Sequence, residues 1–381
     1  MNEINTPTES EAELYPIQPR FHPIHKIPRL IYDFLASAKL AMFLLVAILL
    51  CCLVGVTVFR GQRAWDIIFS TLWFNGLLVL LVLNVACCFF GRIWHRRLTL
   101  ITFGMIMFHL SFVAMFCGVV YNSLYFFEGT MRLTEGETLQ NGAAESWEGA
   151  RFGRFFSPAE IRGETTLIKM HRGYKVGKDD KRAAYEIEVG APKAKKRDII
   201  YATRNLDCDG FKYLTDREGY SALVVLADRQ GRELYGAYLP LQSLKQEDGS
   251  YIYSTGTSSA KGSLPFPQGQ QKPLYNLQVG FRPFPDQERL GEAFFQLWPY
   301  SATAGHQTEN PAVVGSAYVG RSMPAGDYGV SVKEMRYWVG MKVRRDPGKP
   351  VILGSLWVGL AGMVLTTIGR IRKGSTGVKT A

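Results

Sequence analysis

The chain has 381 residues, a net charge of +11 and 47% hydrophobic residues, and its mean hydropathy is near zero. That average hides a division: long apolar runs lie before about residue 122 and after about residue 350, with a polar, mixed stretch between them. The lack of any C-x-x-C disfavours a thioredoxin-like redox centre, and without G-x-S-x-G, H-E-x-x-H or P-loop patterns a hydrolytic or ATP-driven enzyme has no support.

Residues 1–35 read as a cytoplasmic segment containing a basic pre-membrane stretch, RFHPIHKIPR, whose His22 and His25 are expected at the membrane surface. About 20 apolar residues span the hydrocarbon core as a helix. The first such run is Ala36–Phe59, the second Ile67–Phe90, the third Leu98–Tyr121 and the fourth Val351–Gly369. A cleavable signal peptide is not expected, because a long polar segment precedes the first run and no A-x-A-like site follows it. Lysine and arginine near the helix ends set the orientation. Arg20, Lys26, Arg29 and Lys39 flank the first helix, and Arg92, Arg96 and Arg97 fill the second link together with His95, which is expected at headgroups. Arg370, Arg372 and Lys373 follow the fourth helix and open a cytoplasmic tail, 370–381, whose end reads as disordered. Four crossings put all three groups on one side, while Lys342, Arg344, Arg345 and Lys349 at the fourth helix cut the other way. The expected fold is an α-helical membrane protein with four transmembrane helices, 3+1, and a β-rich extracytoplasmic domain over 122–350 between helices 3 and 4.

That domain is long enough to bury its own core. Its apolar residues come in short bursts such as SALVVLAD and YNLQVGF, rich in Val, Ile, Tyr and Phe and punctuated by Gly, Asp or Pro. The pattern predicts many short antiparallel strands, a sandwich or open barrel, and not βαβ units. KVGKDDKRAA, APKAKKRD and STGTSSAKGSLPFPQGQQKP read as loops. The cluster Lys193–Arg197 reads as a solvated face, and nucleic acid is disfavoured. Cys51, Cys52, Cys87, Cys88 and Cys117 fall in the apolar runs, so the outer domain has Cys208 alone, between two carboxylates that disfavour its thiolate. Trp65, Trp73, Tyr121, Tyr125, Tyr337 and Trp338 fit an aromatic belt at the outer interface.

One residue stands against its surroundings. His109 lies in the third apolar run, ~18 Å in from Arg97 and near the middle of a ~30 Å core. Gly104, Ser111 and Gly118 recur every seven residues and predict close approach by another helix. His109 points to roughly the opposite side, near Met105, Phe112 and Phe116. An intramembrane imidazole is a functional-site hypothesis by default, and haem iron commonly takes it as an axial ligand. A neutral histidine bonded to a neighbouring helix is the equal alternative on the residues alone. His171 and His306 lack metal-ligand spacing and read as surface loop residues.

Several separated stretches resemble the ResB (CcsB) family, membrane proteins of system II cytochrome c biogenesis. LASAKLAMFLLVAILL is similar to the family's opening helix, and TLWFNGLLVLLVLNVACCFFGR to its second, through Trp73, Phe74, Asn84, Cys88 and Arg92. MFHLSFVAMFCGVVYNSLYFFEGTMRLTEGET matches at His109, Gly118, Gly129, Glu135 and Gly136, and the approach to the last helix at Gly340, Val343, Asp346, Pro347 and Gly348. The resemblance covers the membrane half, and the middle of the outer domain matches only in being β-rich. It implies a subunit of the bacterial inner (cytoplasmic) membrane, with its large domain on the periplasmic side. Such a subunit holds or delivers haem b to the CxxCH thiols of apocytochrome c, beside a CcsA/ResC-type partner that carries a tryptophan-rich motif this chain lacks. His109 matches the family's intramembrane histidine, a proposed haem ligand. Cys88 also matches, with a packed thiol as its expected role. Membrane lipid is the remaining expected partner, and no independent catalytic motif is present. The competing reading is a membrane-anchored scaffold module without haem chemistry.

Overall fold

The computed structural model describes residues 23–59, 62–92, 98–246, 251–256, 263–269, 272–300 and 310–377. The chain divides into a helical unit, Met1–Ser123 with Gly348–Ala381, and a β-unit, Leu124–Pro347.

In the helical unit, α1 (Pro23–Leu35) is a helix that the sequence reading did not assign, with polar Lys26, Arg29 and Asp33 set among apolar residues. Helix α2 (Ala38–Val54) is apolar beyond Lys39 in its first turn and runs on into a π-helical turn, Gly55–Phe59. The second apolar run is not one helix. Trp65–Phe69 is a π-helical turn, and α3 begins only at Leu72 and ends at Arg92. Thr71 explains the break: its Oγ1 donates to the Ile68 carbonyl at 2.5 Å, and its N–H reaches the same oxygen at 3.2 Å. Local side-chain bonds of this kind compete with helical ones. Helix α4 is Leu100–Tyr125, four residues longer at its C-terminal end than expected. Helix α5 (Lys349–Gly377) continues through Arg370, Arg372 and Lys373, which were expected in the tail, because straight-chain basic residues propagate a helix well. Ala38–Phe59, Leu100–Tyr125 and Lys349–Lys373 are long and apolar enough to cross a membrane. His22, His95, Arg96, Arg97 and His306 lie outside the described residues, as do the side chains of His25 and Arg92.

The β-unit opens with β1 (Phe127–Thr134), β2 (Thr138–Gln140) and β3 (Gly149–Phe152). Next come β4 (Glu164–Arg172), β5 (Ala183–Gly190), β6 (Lys196–Ile200), β7 (Phe211–Asp228) and β8 (Glu233–Lys245). The last are β9 (Tyr251–Ser254), β10 (Tyr275–Phe284), β11 (Gln287–Pro299), β12 (Val313–Tyr318) and β13 (Tyr328–Arg345). A large antiparallel sheet runs β12-β11-β10-β9-β8-β7-β13-β1-β3, and a four-stranded sheet runs β2-β4-β5-β6. The alternating inward residues of both sheets share one core, including Met131, Leu133, Leu167, Ile187, Phe281 and Phe295. The antiparallel expectation holds, but β7 and β13 are each 18 residues long and not short. Register shifts at Thr215/Arg217 and Ala222/Val224 let this ladder bend without ending it.

Several residues read as membrane-flanking or as loops belong to this sheet system. Tyr337 and Trp338, expected in an aromatic belt, are 5% and 4% exposed in β13, and Trp338 Nε1–H donates to the Leu241 carbonyl at 3.0 Å. Lys342, Arg344 and Arg345 are also strand residues. Lys342 pairs with Glu128 at 2.6 Å, and Arg345 with Glu160 at 3.2 Å. Their charge is largely answered by acids within the domain. His171 lies in β4, not a loop, with Nε2 at 3.3 Å from Glu186. The Lys193–Arg197 cluster meets acids too: Lys195 bridges Glu164 and Glu188, and Arg197 pairs with Glu186.

Candidate functional site

The residue that drew attention in the sequence sits on a helix whose two faces do different work. On one face of α4, Gly104, Ser111 and Gly118 are buried against α5. A Cβ on Gly104 would come to 2.5 Å from Thr366 Oγ1, and one on Gly362 to 2.7 Å from the Gly104 carbonyl. A Cβ on Gly359 would meet Ser111 Oγ at 2.5 Å. At the end of the pair the Gly348 N–H donates to Asn122 Oδ1 at 3.1 Å. The predicted small-residue contact is therefore present, and its partner is α5.

His109 is on the opposite face. Phe116, two turns further on that face, packs with Val119 and Val120 against Ile68, Phe74 and Leu78, where Ile48, Cys51 and Cys52 of α2 also pack. The imidazole therefore shares the side of α4 that meets α2 and α3, ~10 Å along the axis from that cluster. It is half-buried, its ring lies edge-on to Phe108 at 5.7 Å, and Nδ1 is 2.8 Å from the Met105 carbonyl oxygen. A carbonyl only accepts, so Nδ1 carries the proton, and in the neutral ring the lone pair is on Nε2. Histidines that ligate metals typically use one nitrogen and donate the other N–H to such an oxygen. As a donor set for haem, His109 fits as a single axial ligand. Among the described residues no group of three or more His, Cys, Asp or Glu is placed to hold a metal ion.

The structure gives two other residues of α3 a role that their sequence spacing only hinted at. Asn84 is fully buried, and its Nδ2 donates to the carbonyls of Leu35 at 2.6 Å and Ser37 at 3.0 Å. One turn on, Cys88 Sγ donates to the Ala36 carbonyl at 3.1 Å, and Tyr32 Oη donates to the Cys87 carbonyl at 3.0 Å. Helix ends leave carbonyls without intrahelical partners, and here side chains of α3 satisfy those of Leu35 and Ala36 at the α1–α2 break and add a second donor to Ser37, which already accepts from the Ala41 N–H. Cys88 is thus a structural thiol.

In the β-unit the most elaborate polar cluster centres on Glu135. Its carboxylate accepts from the Met170 N–H at 2.8 Å, the Arg289 guanidinium at 2.9 Å and the Tyr337 N–H at 3.3 Å. It thereby ties β4 of the small sheet to β11 and β13 of the large one, with a buried charge fully answered. Arg289 and Arg172 both stack on the Tyr337 ring, at 4.9 and 5.1 Å, and Glu288 joins Arg172 to Tyr337 Oη. Burial, followed by the Glu288 hydrogen bond, raises the Tyr337 phenol, and burial does the same at Tyr220 and Tyr185. The cluster reads as a clamp between the two sheets. Cys208 lines an open cleft of ≈ 470 Å³ with Arg162, Tyr213 and Arg345. Burial and then Asp209 raise its thiol, against a smaller opposing effect of Lys196. That agrees with an unreactive cysteine. No protein-family model matches the chain, and no curated protein matches it.

Proposed function

We propose that the chain is a haem-handling subunit of a system II cytochrome c maturation complex, the role implied by its resemblance to the ResB family. In this reading four helices cross the bacterial inner membrane, α3 being the fourth beside the three longer ones, and the β-unit stands on the periplasmic side. Haem b is the cargo, and the complex presents it to the thiols of apocytochrome c. His109 supplies one axial ligand through Nε2, and a histidine of a CcsA/ResC-type partner supplies the other. The observation that carries the reading is the midspan imidazole whose Nδ1–H is engaged by the Met105 carbonyl, on the face of α4 away from α5. The same bond would satisfy a histidine kept only for packing, so iron ligation is the discriminating property.

The test is the absorption spectrum of detergent-purified protein co-expressed with such a partner, for wild type and His109→Gly. A Soret band in wild type that collapses in the variant and returns with added imidazole is the expected result. If haem-replete expression yields no band in either protein, haem ligation is refuted and a membrane-anchored scaffold replaces it.

A further inference from the structure

The segment Arg151-Phe152-Gly153-Arg154-Phe155-Phe156 closes β3 and turns back toward the end of α4. Two backbone bonds hold it there: Gly153 N–H to the Phe126 carbonyl at 2.8 Å, and Phe155 N–H to the Leu124 carbonyl at 2.9 Å. Leu124 lies in the last turn of α4, where carbonyls lack intrahelical partners and are open to such capture. The Phe155 ring then meets the ring of Tyr125, the final residue of that apolar helix, at 5.9 Å.

The three phenylalanines divide by environment. Phe156 is buried, with the Arg345 guanidinium 5.5 Å from its ring. Phe152 and Phe155 are 46% and 57% exposed, on either side of the exposed Arg154. Phe152 also rests against Phe156 at 6.2 Å, so the two half-exposed rings and the cation between them form one small amphipathic patch. They suit the boundary of a bilayer, where rings sit at headgroup depth and guanidinium groups meet lipid phosphate.

We infer that Phe152 and Phe155 seat in the membrane interface at the Tyr125 end of α4, with Arg154 directed to phospholipid phosphate, so that the β-unit carries its own lipid anchor. The occupant is the bilayer itself. The reasons are the direct contact of Phe155 with the last residue of an apolar helix and the match of Arg154 to an anionic headgroup. The inference rests on the reading that α4 and α5 cross a membrane.

The test places the photoreactive analogue benzoyl-phenylalanine, one position at a time, in the full chain reconstituted in nanodiscs of phosphatidylethanolamine and phosphatidylglycerol. Position 155 is the primary site and 152 the second, in case one substitution disturbs folding. Trp357, 73% exposed on α5, serves as the in-membrane reference. Leu234, exposed beside Tyr235 and so at the end of the β7–β13 ladder away from Arg344, serves as the solvent reference. Lipid adducts at 357, 155 and 152 and none at 234 are expected. Adducts at 357 without any at 155 or 152 overturn the anchor and leave the membrane reading standing. Protein adducts at 155 in place of lipid ones also overturn it, and no lipid adduct at 357 overturns both.

Discussion

Along the α4–α5 contact the closest approaches involve Gly104, Ser111, Gly118, Gly359 and Gly362, whereas the core of the β-unit is filled by large side chains such as Tyr220, Phe266, Phe281 and Phe295. The two regions answer to different solvents. In water, burying a large ring is itself stabilising, so the β-unit gains from volume. Lipid tails are as apolar as leucine, so two helices in a membrane gain little by burying leucines against each other. They gain from backbone-close van der Waals contact, which only small residues permit. The same division accounts for the hydrogen bonds. The β-unit satisfies its backbone through ladders between distant strands, while the helical unit satisfies its own within each helix and needs side chains such as Asn84, Cys88 and Asn122 only where helices end.

This contrast predicts opposite sensitivities to side-chain size. The largest loss is expected from shrinking a residue in the β-unit. Phe295→Ala should cost about 3–5 kcal/mol, read as a lower denaturant midpoint for the β-signal. A near-neutral result would mean that the core repacks and that volume is not what holds it.

Enlarging a residue should matter more in the helical unit. Gly362→Leu should cost about 1–3 kcal/mol by overpacking, seen as a lower melting temperature of the helical signal in detergent. Leu356→Ala, at an exposed position on the same helix, should leave that temperature nearly unchanged. Equal effects of the two would break the comparison.

The smallest effect concerns charge. Burial alone would raise the Glu128 carboxyl, but hydrogen bonds and charges from Lys342 and Arg151 outweigh it and hold it below its ordinary value of 4.5. A lowered folded-state pKa contributes stability above pH 4.5 that disappears as pH falls through the lower folded value. Glu128→Gln should therefore flatten part of the acid limb of the stability–pH curve and leave the alkaline side unchanged. Glu164 and Glu186, also held low by basic partners, should keep the remaining slope. An unchanged acid limb would show that the strand-end ion pairs add nothing.

Several residues that carry the family resemblance have a structural reason of their own. A Cβ on Gly129 would come to 2.5 Å from the Trp147 ring, and one on Gly348 would collide with the Gly118 carbonyl oxygen. Gly136 has φ +83, and Glu135 beside it clamps the two sheets. Asn84 caps the α1–α2 break. These positions describe a way of folding more than a chemistry.

The misread residues failed for one physical reason. Tyr337 and Trp338 precede an apolar helix, as interfacial anchors do, but register on β7 and β1 places them inside the sheet system. Sequence neighbourhood cannot distinguish a ring at a lipid boundary from a ring in a core. The exposed rings Phe152 and Phe155 lie about thirty residues beyond the third apolar run, and nothing local marks them.

What the sequence by itself determined is whatever depends on transfer between solvents. It set the apolar runs, the β-rich character of the stretch between them, the small-residue stripe of α4 and the oddity of His109 within an apolar helix. Each is a property of a residue and its near neighbours, summed over a turn or a strand. What only the tertiary structure decided is pairing across long chain distances: α5 against Gly104 and Gly118, Asn84 against the α1–α2 break, Glu135 between the sheets, and β3 folded back to the end of α4. Asn122 and Gly348 are 226 residues apart and 3.1 Å from each other. No local preference selects such a partner, because the free energy resides in the fit of two surfaces and becomes available only when both are formed.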